Sequence, residues 1–264
     1  MKPAEIRSRD NPLLVRLRKL AQDNAAHRRH GAVWLEGDHL VRACLSRGHA
    51  LQEVVLSASG WAQPALRALA ERGARTVVVP DALFRGISGL ESPAPIGAVA
   101  ALPADVQLDP QAASVVLDRL QDAGNVGSIL RSAAAFGVRQ VLAIKGTAGL
   151  WSPKVLRAGM GAHFGLRLVE GLEPEDFGRL QVPLLATSSH AQACVHDAGL
   201  PRPAAWVLGH EGQGVQAALL ERCAMTLRIP QPGGEESLNV AAAAAVCLYE
   251  SARQAAARGP AADQ

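Results

Sequence analysis

The chain has 264 residues, 48% hydrophobic and 19% charged, a balance that suits a globular protein with a substantial core. That length exceeds one average core, so one large domain or two modest ones are expected. With 27 basic against 24 acidic residues the formal charge is +3, too mild to name a partner by itself.

Cys44, Cys194, Cys223 and Cys247 are scattered without a Cys-x-x-Cys pair. That argues against a disulfide framework or a zinc site, and no metal is expected. Charges interrupt the N-terminal region, so it does not read as a signal segment. The longest apolar run, Val240 to Tyr249, is far short of the ~20 residues a membrane span needs. A cytoplasmic protein is expected.

In chain order, the first thirty positions carry Lys2, Arg7, Arg9, Arg16, Arg18, Lys19, Arg28 and Arg29 against Glu5, Asp10 and Asp23. Such a segment reads either as an RNA-contacting arm or as a solvated helix face. Asn11-Pro12 marks the start of a helix whose polar side is basic. Strands are expected at Val33 to Leu35, Val54 to Leu56, Thr76 to Val79 and Ile96 to Ala101, with helices from Asp38, as cap, through Arg47 and from Ala65 to Arg72. These form a small α/β domain over residues 1–102. Clustered Pro and Asp from Pro103 to Pro110 mark a linker, placed at 103–112.

Residues 113–264 repeat the alternation with cleaner strands at Ser114 to Leu117, Gln140 to Ile144, Pro183 to Ala186, Ala205 to Leu208 and Met225 to Ile229. Short apolar runs of this kind predict strands buried on both faces, hence an α/β fold with a mostly parallel sheet. A last helix is expected from Ser237, as N-cap, to about Arg258, with Gly259-Pro260 as its stop.

Ligands of such sheets sit beyond the carboxyl ends of the strands, where three polar segments lie. In the first, Asn125, Ser128 and Arg131 are spaced to share a helix face; Asn can orient a hydroxyl and Arg can hold a phosphate. The ordinary alternative is a helix cap and a surface charge. The second, Gly209-His210-Glu211-Gly212-Gln213-Gly214, allows close backbone approach to a ligand but fits neither a dinucleotide fingerprint nor a phosphate loop. The third runs from Ile229 through Ser237, Leu238 and Asn239 into an Ala-rich helix, and capping by Ser237 leaves Asn239 unexplained. The small side chains Ala241 to Ala245 suit close helix approach, across a dimer interface or through simple helix propensity.

As a set, Asn-x-Gly-x-Ile-x-Arg at 125–131, Gly-x-Glu-x-x-Gly at 209–214 and Ile-Pro…Ser-Leu-Asn-Val at 229–240 resemble the SpoU (TrmH-like) family of RNA 2′-O-methyltransferases. Ile6, Ser8, Asn11, Pro12 and Leu35-Glu36-Gly37 carry a weaker likeness to that family's L30e-like substrate-binding domain. The resemblance implies a deep trefoil knot at the C-terminus, a homodimer with its active site at the interface, and S-adenosylmethionine as cofactor. It implies cofactor contacts at Thr187, Leu208, Gly209, Glu211, Gly214, Ile229 and Leu238. Arg131 becomes the candidate that activates the ribose hydroxyl, supported by Asn125, Glu211, Ser237 and Asn239. Departures from the family pattern fall at His210, Gln231 and Ala241, none of them assigned to chemistry. His27 and His30 could contact RNA; His163 and His190 read as non-catalytic.

The expected activity is methylation of a ribose in structured RNA, rRNA before tRNA, since aromatics are only 3% and recognition by shape is favoured over stacking. A non-catalytic RNA-binding protein of the same fold is the first alternative, although every polar position named above is present. A nucleotide-dependent oxidoreductase is the second, and it lacks its glycine fingerprint.

Overall fold

Residues 3–234 and 237–258 are described by the structure, a computed structural model. Lys2 and the Gly259-Pro260 stop lie outside them. The chain forms two compact units: residues up to Asp105 with Trp151–Phe164, and Val106–Leu150 with the chain from Gly165 onward.

In the first unit β1 (Ala4–Glu5) precedes α1 (Pro12–Gln22) and α2 (Ala26–His30). The Asn11 side chain accepts from the Leu13 amide at 3.0 Å and Pro12 occupies the first turn, the start that Asn-Pro encodes. β2 (Ala32–Glu36), α3 (Asp38–Ser46), β3 (Leu51–Ser57), α4 (Ala58–Trp61), α5 (Pro64–Ala70), β4 (Arg75–Val79), α6 (Asp81–Arg85) and β5 (Ile96–Ala101) follow. The strands pair in the order β1-β4-β3-β5-β2, with β2 and β3 antiparallel to β5 and the other pairs parallel. Leu13, Leu14, Leu17, Leu20 and Ala21 of α1 close the core over Trp34, Val55, Val77 and Phe84.

One expected cap is corrected here. Asp38 does not cap α3: Gly37 stands at the N-cap with φ +94°, a conformation that excludes most side chains. Asp38 instead lies in the first turn, ion-paired to Arg42 at 3.2 Å.

The second unit opens with β6 (Ser114–Leu117), α7 (Ala123–Ala135) and β7 (Gln140–Ile144); α8 (Pro153–Gly159) then belongs to the first unit. β8 (Arg167–Leu172), β9 (Leu184–Thr187), β10 (Ala205–Leu208), α9 (Ala217–Leu220), β11 (Cys223–Leu227) and α10 (Val240–Ala257) complete it. The strand order is β11-β9-β10-β6-β7-β8, and every pairing is parallel. β6, β7 and β10 are buried along their whole length, which explains their unbroken apolar sequence. Strand β8, absent from the sequence expectation, pairs only with β7; a half-buried edge strand tolerates the Glu170 and Gly171 that disguise it. α10 packs on α7, and its Ser251 Oγ pairs with the Trp206 indole of β10 at 2.9 Å.

The second correction concerns α10. Ser237 does not cap it; Asn239 does, its Oδ1 accepting from the Ala241 and Ala242 amides at 2.9 and 3.3 Å. Asn is as good a cap as Ser, so the position that looked misplaced inside a helix is its first boundary.

Among the described residues the four thiols are free, and burial pushes those of Cys44 and Cys247 up to about 11 and about 12. His163 is buried against Trp151, with ring centroids 5.2 Å apart.

Trp34 fits the first core because its diagonal neighbour on β5 has no side chain. A Cβ on Gly97 would stand 2.1 Å from the indole Cζ2. Gly97→Ala is therefore expected to cost about 1–3 kcal/mol through overpacking, read as a lower urea midpoint at unchanged slope.

Candidate active site

Strand order places β10 on one side of β6 and β7 on the other, so the chain reverses its direction of winding at β6. The segments leaving the carboxyl ends of β6 and β10 must then meet in the crevice such a reversal creates. They do.

Asp118, the residue after β6, is fully buried. Its carboxylate accepts from the Gln216 backbone and side-chain amides, each at 2.7 Å, and from Arg119 Nε at 2.8 Å. Arg119 also reaches Gln213 Oε1 at 3.1 Å. This brace ties the β6 loop to the turn after β10. Sequence reasoning passed over it; the signal was an acid set flush against a buried strand, which demands several donors.

The turn after β10 depends on its glycines. A Cβ on Gly209 would lie 2.2 Å from backbone atoms of Gly214 and Val215, and Gly214 has φ +69°. His210 and Gly214 exchange backbone hydrogen bonds at 3.0 and 2.8 Å. His210 Nδ1 accepts from the Gly212 amide at 3.0 Å, closing the turn from inside.

Out of that turn comes Glu211. Its carboxylate accepts from the amides of Gln121 and Asp122 at 3.4 and 3.3 Å and from Asn125 Nδ2 at 3.3 Å. Asn125 Oδ1 in turn accepts from Asn239 Nδ2 at 3.0 Å. Asp122 caps α7 by accepting from the Asn125 amide at 2.7 Å, which frees the Asn125 side chain from capping duty. Burial pushes the Glu211 carboxyl up, but the hydrogen bonds together outweigh it and hold it below the usual glutamate range.

Beside this network, at the carboxyl ends of the neighbouring strands β9 and β11, lies a cleft of about 130 Å³. Thr187, Ser188, Ile229, Gln231, Ser237 and Leu238 are among its walls. Gln231 Oε1 is buried and has no hydrogen-bond partner among the described residues. A larger cavity, about 350 Å³, opens at the other end of the sheet among Ser114, Phe136 and Trp206. Parallel sheets bind ligands beyond their carboxyl ends, and Leu238 of the smaller cleft directly precedes Asn239 of the network, so we place the site there.

Of the residues singled out from sequence, Asn125, Glu211 and Asn239 are thus joined, and Thr187, Ile229, Ser237 and Leu238 share the cleft. Leu208 and Gly209 lead into the glycine turn and Gly214 closes it; Leu208 contributes its carbonyl to the Asp118 amide at 2.9 Å. Arg131 stands apart. It lies exposed on α7 on the side shared with Ser128, and makes no hydrogen bond or ion pair among the described residues.

The basic N-terminal positions fall on the first unit. Arg16 and Arg18 lie half-buried on α1, Arg16 paired with Glu53 at 3.5 Å and Arg18 donating to the Arg9 carbonyl at 2.7 Å. Arg7 pairs with Glu5 at 3.0 Å and Arg29 with Asp23. Arg9, Lys19 and Arg28 are exposed. The segment is a packed helix with a basic outer face rather than a free arm.

Comparison with known proteins bears on what this crevice does. Residues 112–249 match the model of the SpoU rRNA Methylase family. An uncharacterized tRNA/rRNA methyltransferase of Synechocystis is 36% identical over 95% of this chain and 94% of its own. The 23S rRNA (guanosine(2553)-2′-O)-methyltransferase RlmP of Bacillus subtilis is 31% identical over 81% of this chain and 86% of its own. The SpoU methyltransferase AviRb of Streptomyces viridochromogenes, solved with AdoMet, superposes with a TM-score of 0.82 at 26% identity, over 92% of this chain and 98% of that one.

A carboxyl held low by native hydrogen bonds stabilises the fold above its unfolded pKa, and the benefit is lost as pH falls through the folded value. Glu211→Gln is therefore expected to lower stability at neutral pH. Its deficit against the parent should shrink on acidification below about pH 4.3, in urea melts recorded from pH 7 to pH 3. A deficit that stays constant would contradict the assignment.

Proposed function

Since the chain belongs to the SpoU rRNA methylase family, we propose that it transfers a methyl group from S-adenosylmethionine to a ribose 2′-hydroxyl in structured rRNA. The observation that carries this reading is the convergence of Asn125, Glu211 and Asn239 beside a cleft walled by Thr187, Ile229 and Leu238. Aliphatic walls with hydroxyls among them are a mixture that suits an adenosine.

When bound, S-adenosylmethionine supplies a methyl carbon made electrophilic by its sulfonium. Thr187, Leu208, Gly209, Gly214, Ile229 and Leu238 would hold it, largely through backbone, with Ser237 on the cleft wall and Glu211 in the adjoining network. Alignment of two bound reactants is worth roughly 7–11 kcal/mol of barrier, and the bonded Asn239–Asn125–Glu211 chain keeps the surrounding loops in place for it. Arg131 stays charged, because a guanidinium releases its proton only above about pH 12. We therefore assign it to the phosphate next to the target ribose and to the negative charge that develops on O2′. The hydroxyl proton leaves to phosphate or water.

The reading extends to a homodimer with the site at the protomer interface, and to the knotted C-terminal path that the family resemblance implies. Val246 and Tyr249 of α10 are 39% and 55% exposed and continue a stripe begun by Ala242, an apolar face suited to a second copy. A site at that interface also accounts for Arg131 standing apart from the network of its own chain. The exposed side chains of Arg9, Lys19 and Arg28 would meet RNA phosphates on the first unit. None of the described helices is long and apolar enough to cross a membrane, and the cytoplasm, where rRNA is found, is the compartment this reading expects.

Arg131→Ala is expected to lower methyl transfer to rRNA by about 100- to 1000-fold in a tritiated-methyl assay. Calorimetric affinity for S-adenosylhomocysteine should remain within about twofold, since the interaction removed belongs to the transition state. Wild-type turnover in the variant would remove Arg131 from the mechanism.

A further inference from the structure

We propose that Cys194, His196 and Asp197, none of them a member of the network around Glu211, bind a divalent ion of the zinc class. One thiol sulfur, one imidazole nitrogen and one carboxylate oxygen lie within 4.8 Å of one another, with His196 Nε2 3.3 Å from Asp197 Oδ1. Among the described residues no other three side chains of ligand type come so close. The donors share a single turn, whereas the sequence expectation of no metal rested on the missing Cys-x-x-Cys pair.

The backbone holds that turn in place. The Val195 amide donates to the carbonyl of Arg228, directly after β11, and the Arg228 amide donates to the Ala193 carbonyl, each at 2.9 Å. Val195 is buried, and the Cys194 carbonyl accepts from the Asp197 and Ala198 amides at 3.3 and 3.2 Å. Gln254 of α10 clamps the chain just beyond, donating to the Ala198 carbonyl at 2.9 Å and accepting from the Leu200 amide at 3.0 Å. Cys194 is half-buried, and His196 and Asp197 are exposed, so an ion can reach all three. Ligands carried on a fixed turn spare binding part of its ordering cost.

Zinc is four-coordinate, with bonds of about 2.0 Å to nitrogen or oxygen and about 2.3 Å to sulfur. A tetrahedron of such bonds sets nitrogen and oxygen about 3.3 Å apart and sulfur about 3.6 Å from either. The His196–Asp197 separation already has that length. The thiol must approach by at most about 1.2 Å, 4.8 Å against 3.6 Å, which a change of rotamer supplies. A surface His–Asp pair alone is ordinary; the thiol beside it is what such a pair does not explain. Thiolate and imidazole select zinc-class ions, whereas magnesium and calcium require oxygen ligands throughout. Glu250 lies within electrostatic reach of His196 but is no ligand, because Arg253 holds both its oxygens at 2.7 and 2.8 Å. Water takes the fourth position, the thiol proton leaving to solvent as the ion binds.

The test is cobalt titration of the full chain without an affinity tag, read by absorption and followed by displacement with zinc. Tetrahedral cobalt bonded to a thiolate shows a charge-transfer band in the near ultraviolet. One ion per chain is expected, with a zinc dissociation constant on the order of 1 µM. Cys194→Ser should abolish the band and weaken zinc binding by about 100-fold or more, beyond the cost of losing an outer-shell partner. Asp197→Asn should keep the band and bind zinc about tenfold more weakly. Cys223→Ser should bind like the parent, since that thiol donates to the Leu219 carbonyl at 3.2 Å.

Without metal, the melting temperatures of Cys194→Ser and Asp197→Asn should match the parent, because neither side chain belongs to the core. A band that survives Cys194→Ser, or one lost in Cys223→Ser, would place the ion elsewhere and overturn the proposal. So would cobalt bound without the band, half an ion per chain, or a zinc dissociation constant of about 1 mM or weaker. Should Cys194→Ser melt lower than the parent, Asp197→Asn decides: undiminished zinc binding by that variant would overturn the site too.

Discussion

Glu211 occupies the point where two loops from adjacent parallel strands come together, and the site depends on what its carboxylate accepts. The amides of Gln121 and Asp122 and the side chain of Asn125 all donate to it. Without that acceptor, the first turn of α7 and the glycine turn after β10 would each present polar groups to the other with nothing to pair them. A parallel sheet makes such a meeting unavoidable, since every strand delivers its loop to the same edge.

The network is directional. A carboxamide donates and accepts at once, so Asn239 can cap α10 through its oxygen while its nitrogen donates to Asn125, which passes a donor on to Glu211. Aspartate at either position would supply acceptors only and break the relay. The start of α10, the start of α7 and the turn after β10 are thereby held in one arrangement before any ligand arrives. Held dipoles of this kind need not reorganise during reaction. Asp118, buried below them and bonded to both amides of Gln216, repeats the tie one layer deeper.

Arg131 contrasts with this rigidity. It projects from the same helix as Asn125, six residues on, which is about 9 Å further along the axis. The residues that fix geometry are bonded to one another, whereas the residue assigned to charge stabilisation has no partner among the described residues. That division suits a group whose partner is a phosphate brought by the substrate.

Much of this was legible in residue order. Unbroken apolar runs at 114–117, 140–144 and 205–208 announce strands covered on both faces, and they became the centre of an all-parallel sheet. Asn11-Pro12 encodes its own helix start, and three polar segments after strands mark the site, because strand burial and capping are local chemistry written in neighbouring residues. The edge strand β8 is not legible in residue order because half-burial permits Glu170 and Gly171 within it, and residue order does not separate Ser237 from Asn239 as a cap because both side chains satisfy the same local rule. Only the folded chain decided that Asn239 lies within reach of Asn125, that Asp118 answers Gln216, and that Glu211 meets the start of α7. Each of those facts joins residues far apart in the chain, and the distance between them is set by how the sheet winds, which no stretch of neighbouring residues contains.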